Sequence, residues 1–263
     1  MSTPSVTTPA GAAETSYVRL RNWLLGGLTV SSGAVDSISF LALGKVFTAF
    51  MTGNIAFLGM AIAGGTGANL YGVVPPLVVP VLASMVGFAV GIYIGTRIVA
   101  ASKQPAAREG EHPAAAVWPQ RTTVALGVSL LAQLCFVVIW AETGAHPGAG
   151  VIPVLLFFWA AAMGMQSAAV RRLNVAGIFT TAATATFIFL VGDLTKFRMT
   201  ADERRRMRVV IISLIIGATA GAYLLIHAPI WAPVLPLVVS TLVVVTAARG
   251  FRDSVESRQD APA

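Results

Sequence analysis

The sequence predicts an all-α integral membrane protein with six net crossings, two re-entrant or broken helical segments and a 3+3 inverted-topology repeat. Three observations carry that expectation. First, 56% of the 263 residues are hydrophobic and only 11% are charged, with a mean hydropathy of +0.78. A soluble domain carries about 25% charged residues, so this chain cannot clothe a water-facing surface and lipid must face much of it. Second, the apolar residues gather in runs of membrane-spanning length. Third, the chain echoes itself. Phe47-Thr48-Ala49-Phe50-Met51-Thr52 returns as Phe179-Thr180-Thr181-Ala182-Ala183-Thr184 at a shift of 132, and the Gly87–Tyr93 stretch returns as Gly217–Tyr223 at a shift of 130.

Residues 1–18 are rich in Ser, Thr, Ala and Pro and read as a disordered cytoplasmic tail. Arg19 and Arg21 then precede the first apolar run, the pattern of a signal-anchor helix rather than a cleaved signal peptide. A single membrane domain is expected over 19–250, with repeat halves at 22–141 and 151–248 and a second cytoplasmic tail at 251–263. Its apolar segments are Trp23–Leu43, Val46–Ala63, Val73–Ala101, Thr122–Ala141, Val151–Val170, Val175–Val191, Val209–Ile226 and Ile230–Ala248. A spanning helix needs about 17–25 residues, so length alone admits all of them.

Loop charge decides among topologies. Eight strict crossings would put 11 cations on the cytoplasmic side and 7 outside. If segments one and two cross once together, and five and six likewise, 17 cations fall on the cytoplasmic side and Lys45 alone outside. The second arrangement satisfies the positive-inside rule. One member of each pair must then be re-entrant, broken or half-inserted. Three crossings per half turn the second half upside down, which makes the echo an inverted repeat of the kind found in secondary transporters. The net charge of +7 and pI of about 10.3 are thereby explained by topology, and no nucleic-acid partner is expected.

The remaining residue types fit a membrane domain. Trp23, Tyr71, Trp118, Trp140 and Trp231 lie near segment ends, where aromatic belts form. Pro75, Pro76 and Pro80 crowd the start of segment three, and Pro229, Pro233 and Pro236 that of segment eight, as kinks or helix entries. Gly87, Gly91 and Gly95 share one helix face, as do Gly217 and Gly221; they are expected to pack segments three and seven together. Cys135, the single cysteine, allows no intrachain disulfide or cysteine metal cluster and is expected to be a small core residue. No metal site, cofactor or catalytic signature is found, so no enzyme is expected.

Asp36 is the outstanding polar residue, 13 residues into an apolar segment. A charge at that depth costs about 2.5–3.5 kcal/mol on insertion scales, so it needs a cavity or a partner. It is either a proton or cation site or gate, or a carboxylate capping a broken helix. At a shift of 130 it corresponds to Gln166, followed by Ser167. Thr48 and Thr52, four apart, are expected on one helix face, followed by Gly53 and Asn54. With Thr180 and Thr184 of the second copy they form either a hydroxyl-lined pathway or interhelical hydrogen bonds. Gln133 and Gln166 are polar at depth, as ligand contacts or helix glue.

The string from Gly33 to Gly64, with Gly33, Asp36, Phe47, Met51-Thr52-Gly53-Asn54 and Leu58-Gly59, resembles the YoaK-like family of bacterial membrane proteins, a family without assigned function. The stretch from Gly164-Met165-Gln166-Ser167 through Thr184 is similar to the family's second motif, with Ala185 where that motif has Gly. The resemblance covers 20–250 and implies a bacterial inner-membrane protein with both termini cytoplasmic. Three functions stay open: a permease for a small solute, coupled to a proton or cation through Asp36; a passive channel; or a non-transporting scaffold. Lipid is the expected partner, and a homodimer is compatible with the sequence.

Overall fold

The computed structural model of the chain describes residues 9–64, 78–100, 117–173 and 201–251. Among these residues the chain is helical, with no strand: α1 Pro9–Ala42, α2 Met51–Gly64, α3 Val78–Ala100, α4 Gln120–Glu142, α5 Ile152–Arg172, α6 Ala201–His227 and α7 Val234–Gly250, the last preceded by a 3-10 turn at Pro229–Trp231. Among the described residues six helices are long and apolar enough to cross a membrane, from Ser16–Ala42 in α1 to Pro229–Gly250 at the end. The 14-residue α2 reaches about 21 Å at 1.5 Å per residue, short of a 30 Å hydrocarbon core. Helix α1 begins inside the stretch expected as a tail. Apolar segment six, with Thr180 and Thr184, lies outside the described residues.

Each helix starts and stops for local reasons. Pro119 precedes α4, Pro153 opens α5, and Pro80 and Pro236 sit in the first turns of α3 and α7, where no intrahelical N–H is lost. These prolines mark helix entries. Helix α1 ends where Gly44 takes φ +85° and Lys45 φ +60°, so that the Lys45 amide returns to the Phe40 carbonyl at 3.2 Å. That left-handed cap satisfies a terminal carbonyl and turns the chain back.

The contacts fix helix directions. An added Cβ on Gly87 would strike the Phe157 backbone, one on Gly91 the Ala161 backbone and one on Gly95 the Met165 backbone, so α3 and α5 run parallel at backbone contact. Likewise Gly217 meets Val30 and Gly221 meets Ala34, so α1 and α6 run parallel. The glycine stripes therefore do not join segments three and seven, as the sequence suggested. The stripe on α3 seats that helix on α5, and the stripe on α6 seats it on α1. Gly33 and Gly164 supply the matching small surface from the opposite side, against Leu214 and Phe88.

Helix α7 runs antiparallel to α1, with Gly250 at Leu20 and Ser240 at Ser31, and to α4, with Phe251 stacked on Trp118 and Pro229 bonded to Trp140. The start of α1 and the end of α7 thus share one end of the bundle. Arg19, Arg21, Arg97, Arg121, Arg171, Arg172, Arg249 and the run Arg204–Arg208 gather there; among the described residues Lys45 is the cation at the other end.

Helices α1 and α5 are the most enclosed spans, and α6 the least. Ile212, Ile215, Ile216, Tyr223 and Ile226 of α6 and Leu131, Leu134 and Val138 of α4 face outward, an apolar surface that suits lipid. Cys135 also faces outward and is not a core residue. Trp118 and Trp140 are fully buried, so of the expected belt tryptophans only Trp23 and Trp231 are exposed. Two apolar clusters form the core. One, around Leu25, Leu126, Val170 and Val243, lies toward the basic end; the other, around Val35, Phe136, Leu155 and Trp159, lies toward the Lys45 end. Between them runs a buried polar layer: Ser31 and Ser32 on α1, Ser129 and Gln133 on α4, Gln166 on α5 and Ser240 on α7.

Candidate functional site

The α1–α2 connection builds the site. After the left-handed turn at Gly44–Lys45 the chain does not leave the bundle. It folds back along α1 until Thr48 and Ala49 stand beside Asp36. Asp36 lies six residues before the end of α1, about 9 Å along the axis. Asp36 is 4% exposed. Oδ1 accepts the Thr48 and Ala49 amides, each at 2.8 Å, and the Thr48 hydroxyl at 3.2 Å. Hydrogen bonds to a charged group contribute about 1.5–3 kcal/mol each, enough together to offset the roughly 2.5–3.5 kcal/mol that a charge costs at this depth. Oδ2 is buried and has no hydrogen-bond partner among the described residues.

The Met-Thr-Gly-Asn motif completes the clamp. Asn54 brackets the backbone of Phe47: its Oδ1 accepts the Phe47 amide at 3.0 Å and its Nδ2 donates to the Phe47 carbonyl at 2.6 Å. Ser84 of α3 donates to that same carbonyl at 2.6 Å and accepts from Asn54 Nδ2 at 3.1 Å. Gly53 leaves room for the Phe47 ring, which would stand 3.0 Å from a Cβ there. The ring stacks between Phe40 and Phe57, with centroids at 4.9 and 5.8 Å. Asp36 from α1, Asn54 from α2 and Ser84 from α3 therefore hold one loop, residues 43–50, inside the bundle. The amides that face the carboxylate, Thr48 and Ala49, belong to the loop just before α2.

The remaining site residues separate from this group. Thr48 precedes α2 rather than lying within it, and Thr52 is exposed while Thr48 is buried, so the two do not share a helix face. Gln166 donates to the Leu28 carbonyl at 3.2 Å. Leu28 is eight residues before Asp36, about 12 Å along α1, so Asp36 and Gln166 sit at different depths. Ser84 escaped the sequence reading. A lone hydroxyl inside Val81-Leu82-Ala83-Ser84-Met85-Val86 was the signal for it. Ser32 and Trp159 escaped as well, because Ser and Trp in an apolar run raise no alarm until their partners are known.

Residues 24–246 match the family described as Protein of unknown function (DUF1275). The chain is 30% identical over 175 residues to UPF0700 transmembrane protein YoaK of Bacillus subtilis (strain 168), an alignment spanning 66% of this chain and 68% of that protein. No solved structure matches the chain.

Proposed function

The chain belongs to the DUF1275 family, and from that premise we propose that it is a permease for a small solute in the bacterial cytoplasmic membrane, coupled to proton movement through Asp36. The observation that carries the proposal is the loop 43–50, folded back to the depth of Asp36 and held there by a buried carboxylate. Transporters build their sites at such interruptions, where half-helix termini and irregular backbone meet inside protein.

We read α2 as re-entrant. It starts at the level of Asp36, and α3 leaves from the end of the bundle that α1 reached. An inverted repeat is supported by exchange of neighbours. The shift near 130 carries α1 to α5 and α3 to α6, and the order of elements carries α4 to α7. The pair α1–α6 then becomes α5–α3, and α1–α7 becomes α5–α4; all four pairs are in contact, and each helix is opposite in direction to its counterpart. The clustering of arginines at one end of the bundle supports a reading in which that end, and both termini with it, faces the cytoplasm.

Coupling follows from the chemistry of the clamp. An ionised carboxylate holds two amides and a hydroxyl by charge-assisted bonds; proton uptake removes the charge, weakens all three and frees the loop. The proposal assigns no catalysis and no cofactor to the chain. A deletion strain exposed to a panel of small solutes tests it. Uptake of one class of solute should fall in the deletion, return with the wild-type gene and fail to return with Asp36→Asn produced at equal level. Identical uptake across the panel in all strains would overturn the reading.

A further inference from the structure

In and beside the polar layer lie buried polar groups with no hydrogen-bond partner among the described residues. Gln133 is 1% exposed, and both its Oε1 and its Nε2 lack a hydrogen-bond partner. The Ser32 hydroxyl and Trp159 Nε1, on fully buried residues, lack one too. In a bundle surrounded by lipid no bulk water can serve them, and buried polar groups are otherwise nearly always bonded.

These groups converge. Trp140 meets Pro229 and Trp118 stacks on Phe251, so Gln133, seven residues before Trp140, stands opposite Pro236 of α7, seven residues after Pro229. Ser31 donates to the Pro236 carbonyl at 3.2 Å, which brings Ser31 and Ser32 to the level of Gln133. Trp159 stacks on Phe136 with centroids 3.5 Å apart, one turn from Gln133. Ser32, Gln133 and Trp159, on α1, α4 and α5, therefore lie within about one helical turn of a common level. Asp36 follows Ser32 by four residues on the same face of α1, and its free Oδ2 completes the set. Val35 packs in one cluster with Phe136 and Trp159, so this side of α1 is turned toward α4 and α5.

We infer that these four residues form the solute site of the permease, and that its substrate class is a small uncharged amide-type solute, a carboxamide or urea. The inference rests on the transport reading above. Gln133 offers a donor and an acceptor side by side, the complement of another amide. Trp159 Nε1 can only donate and so calls for a carbonyl oxygen, whereas Asp36 Oδ2 calls for an N–H. Ser32 serves either. Among the described residues no cation shares this level, which disfavours an anionic solute.

The test is thermal stability of the purified full chain in detergent with millimolar acetamide or urea, against sodium acetate and ammonium chloride. Acetamide or urea should raise the Tm of the wild type, and the two salts should not. Gln133→Leu should unfold no earlier than wild type without solute, because it removes unpaired groups, and should lose the solute-induced rise. Ser32→Ala should lose most of it. A Gln133→Leu chain that unfolds well below wild type, or that keeps the full solute response, would overturn the site. So would a wild type stabilised by acetate rather than acetamide. Binding is read without transport, so a solute response without any flux would sink the permease and leave the site standing. Flux indifferent to Gln133→Leu would do the reverse.

Discussion

Replacing Asp36 separates the stability of the loop from that of the bundle. Asp36→Asn keeps an acceptor at the position of Oδ1, so the Thr48 and Ala49 amides retain a partner, but the bonds lose their charge. Charge-assisted bonds contribute about 1.5–3 kcal/mol and neutral ones about 0.5–1.5, so the two amide bonds should hold the loop less tightly by roughly 2–3 kcal/mol together. At 1.36 kcal/mol per factor of ten, local opening rises about 30- to 160-fold. Asp36→Ala removes the acceptor and strands two amides and a hydroxyl at about 1–3 kcal/mol each, so the loop should open almost freely. Hydrogen exchange read by mass spectrometry on peptides covering 45–53 reports these amides directly, because exchange follows the free energy of local opening. The bundle should respond differently: removing a buried charge relieves a cost of about 2.5–3.5 kcal/mol, so the Tm of Asp36→Asn should fall little or rise. Unchanged protection of Thr48 and Ala49 in Asp36→Ala would refute the clamp.

Other substitutions probe the remaining contacts. Gly91→Leu forces α3 away from the Ala161 backbone and should lower stability by at least the roughly 1–3 kcal/mol of an overpacked core, whereas Gly127→Ala, with nothing within 4 Å of its added Cβ, should be neutral or raise Tm slightly. Asn54→Asp should loosen the loop as much as Asn54→Ala in the same exchange experiment, since an added anion would face the Phe47 carbonyl and lose both Nδ2 donations. In a Cys135→Ser background, Lys45→Cys should react with an impermeant maleimide added outside intact cells, and Arg172→Cys should react only after permeabilisation. External labelling at position 172 would reject the paired-segment topology.

Much of the fold was legible because lipid imposes blunt rules. Charge depletion and run length pointed to spanning helices, and six among the described residues are long and apolar enough to cross a membrane. The family resemblance read from Gly33 to Gly64 and from Gly164 to Thr184 matches the family to which the chain belongs. Asp36 declared itself as a charge at depth, but its partners, the Thr48 and Ala49 amides, depend on how the loop folds back. Contacts between distant helices were not legible. The glycine stripes announce close approach but not the partner, so Gly87–Gly95 could not be matched to α5 rather than α6. Periodicity also failed at Thr48, because left-handed residues at Gly44 and Lys45 turn the chain before the helical pattern resumes. Gln133 read as ambiguous because an amide at depth serves equally as glue or ligand; its surroundings, with no hydrogen-bond partner for either amide atom among the described residues, were not legible in the sequence.

Flux across proteoliposomes tests the central claim most directly. The purified chain would be reconstituted, given a pH gradient and supplied with acetamide or urea among a wider panel of small solutes. Solute should accumulate in step with the gradient, the lumen should acidify as an inwardly directed proton gradient drives solute in, and both effects should vanish with Asp36→Asn. Passive flux indifferent to the gradient would make the protein a channel. No flux across the panel from folded protein, together with a stable co-purifying partner, would contradict transport altogether.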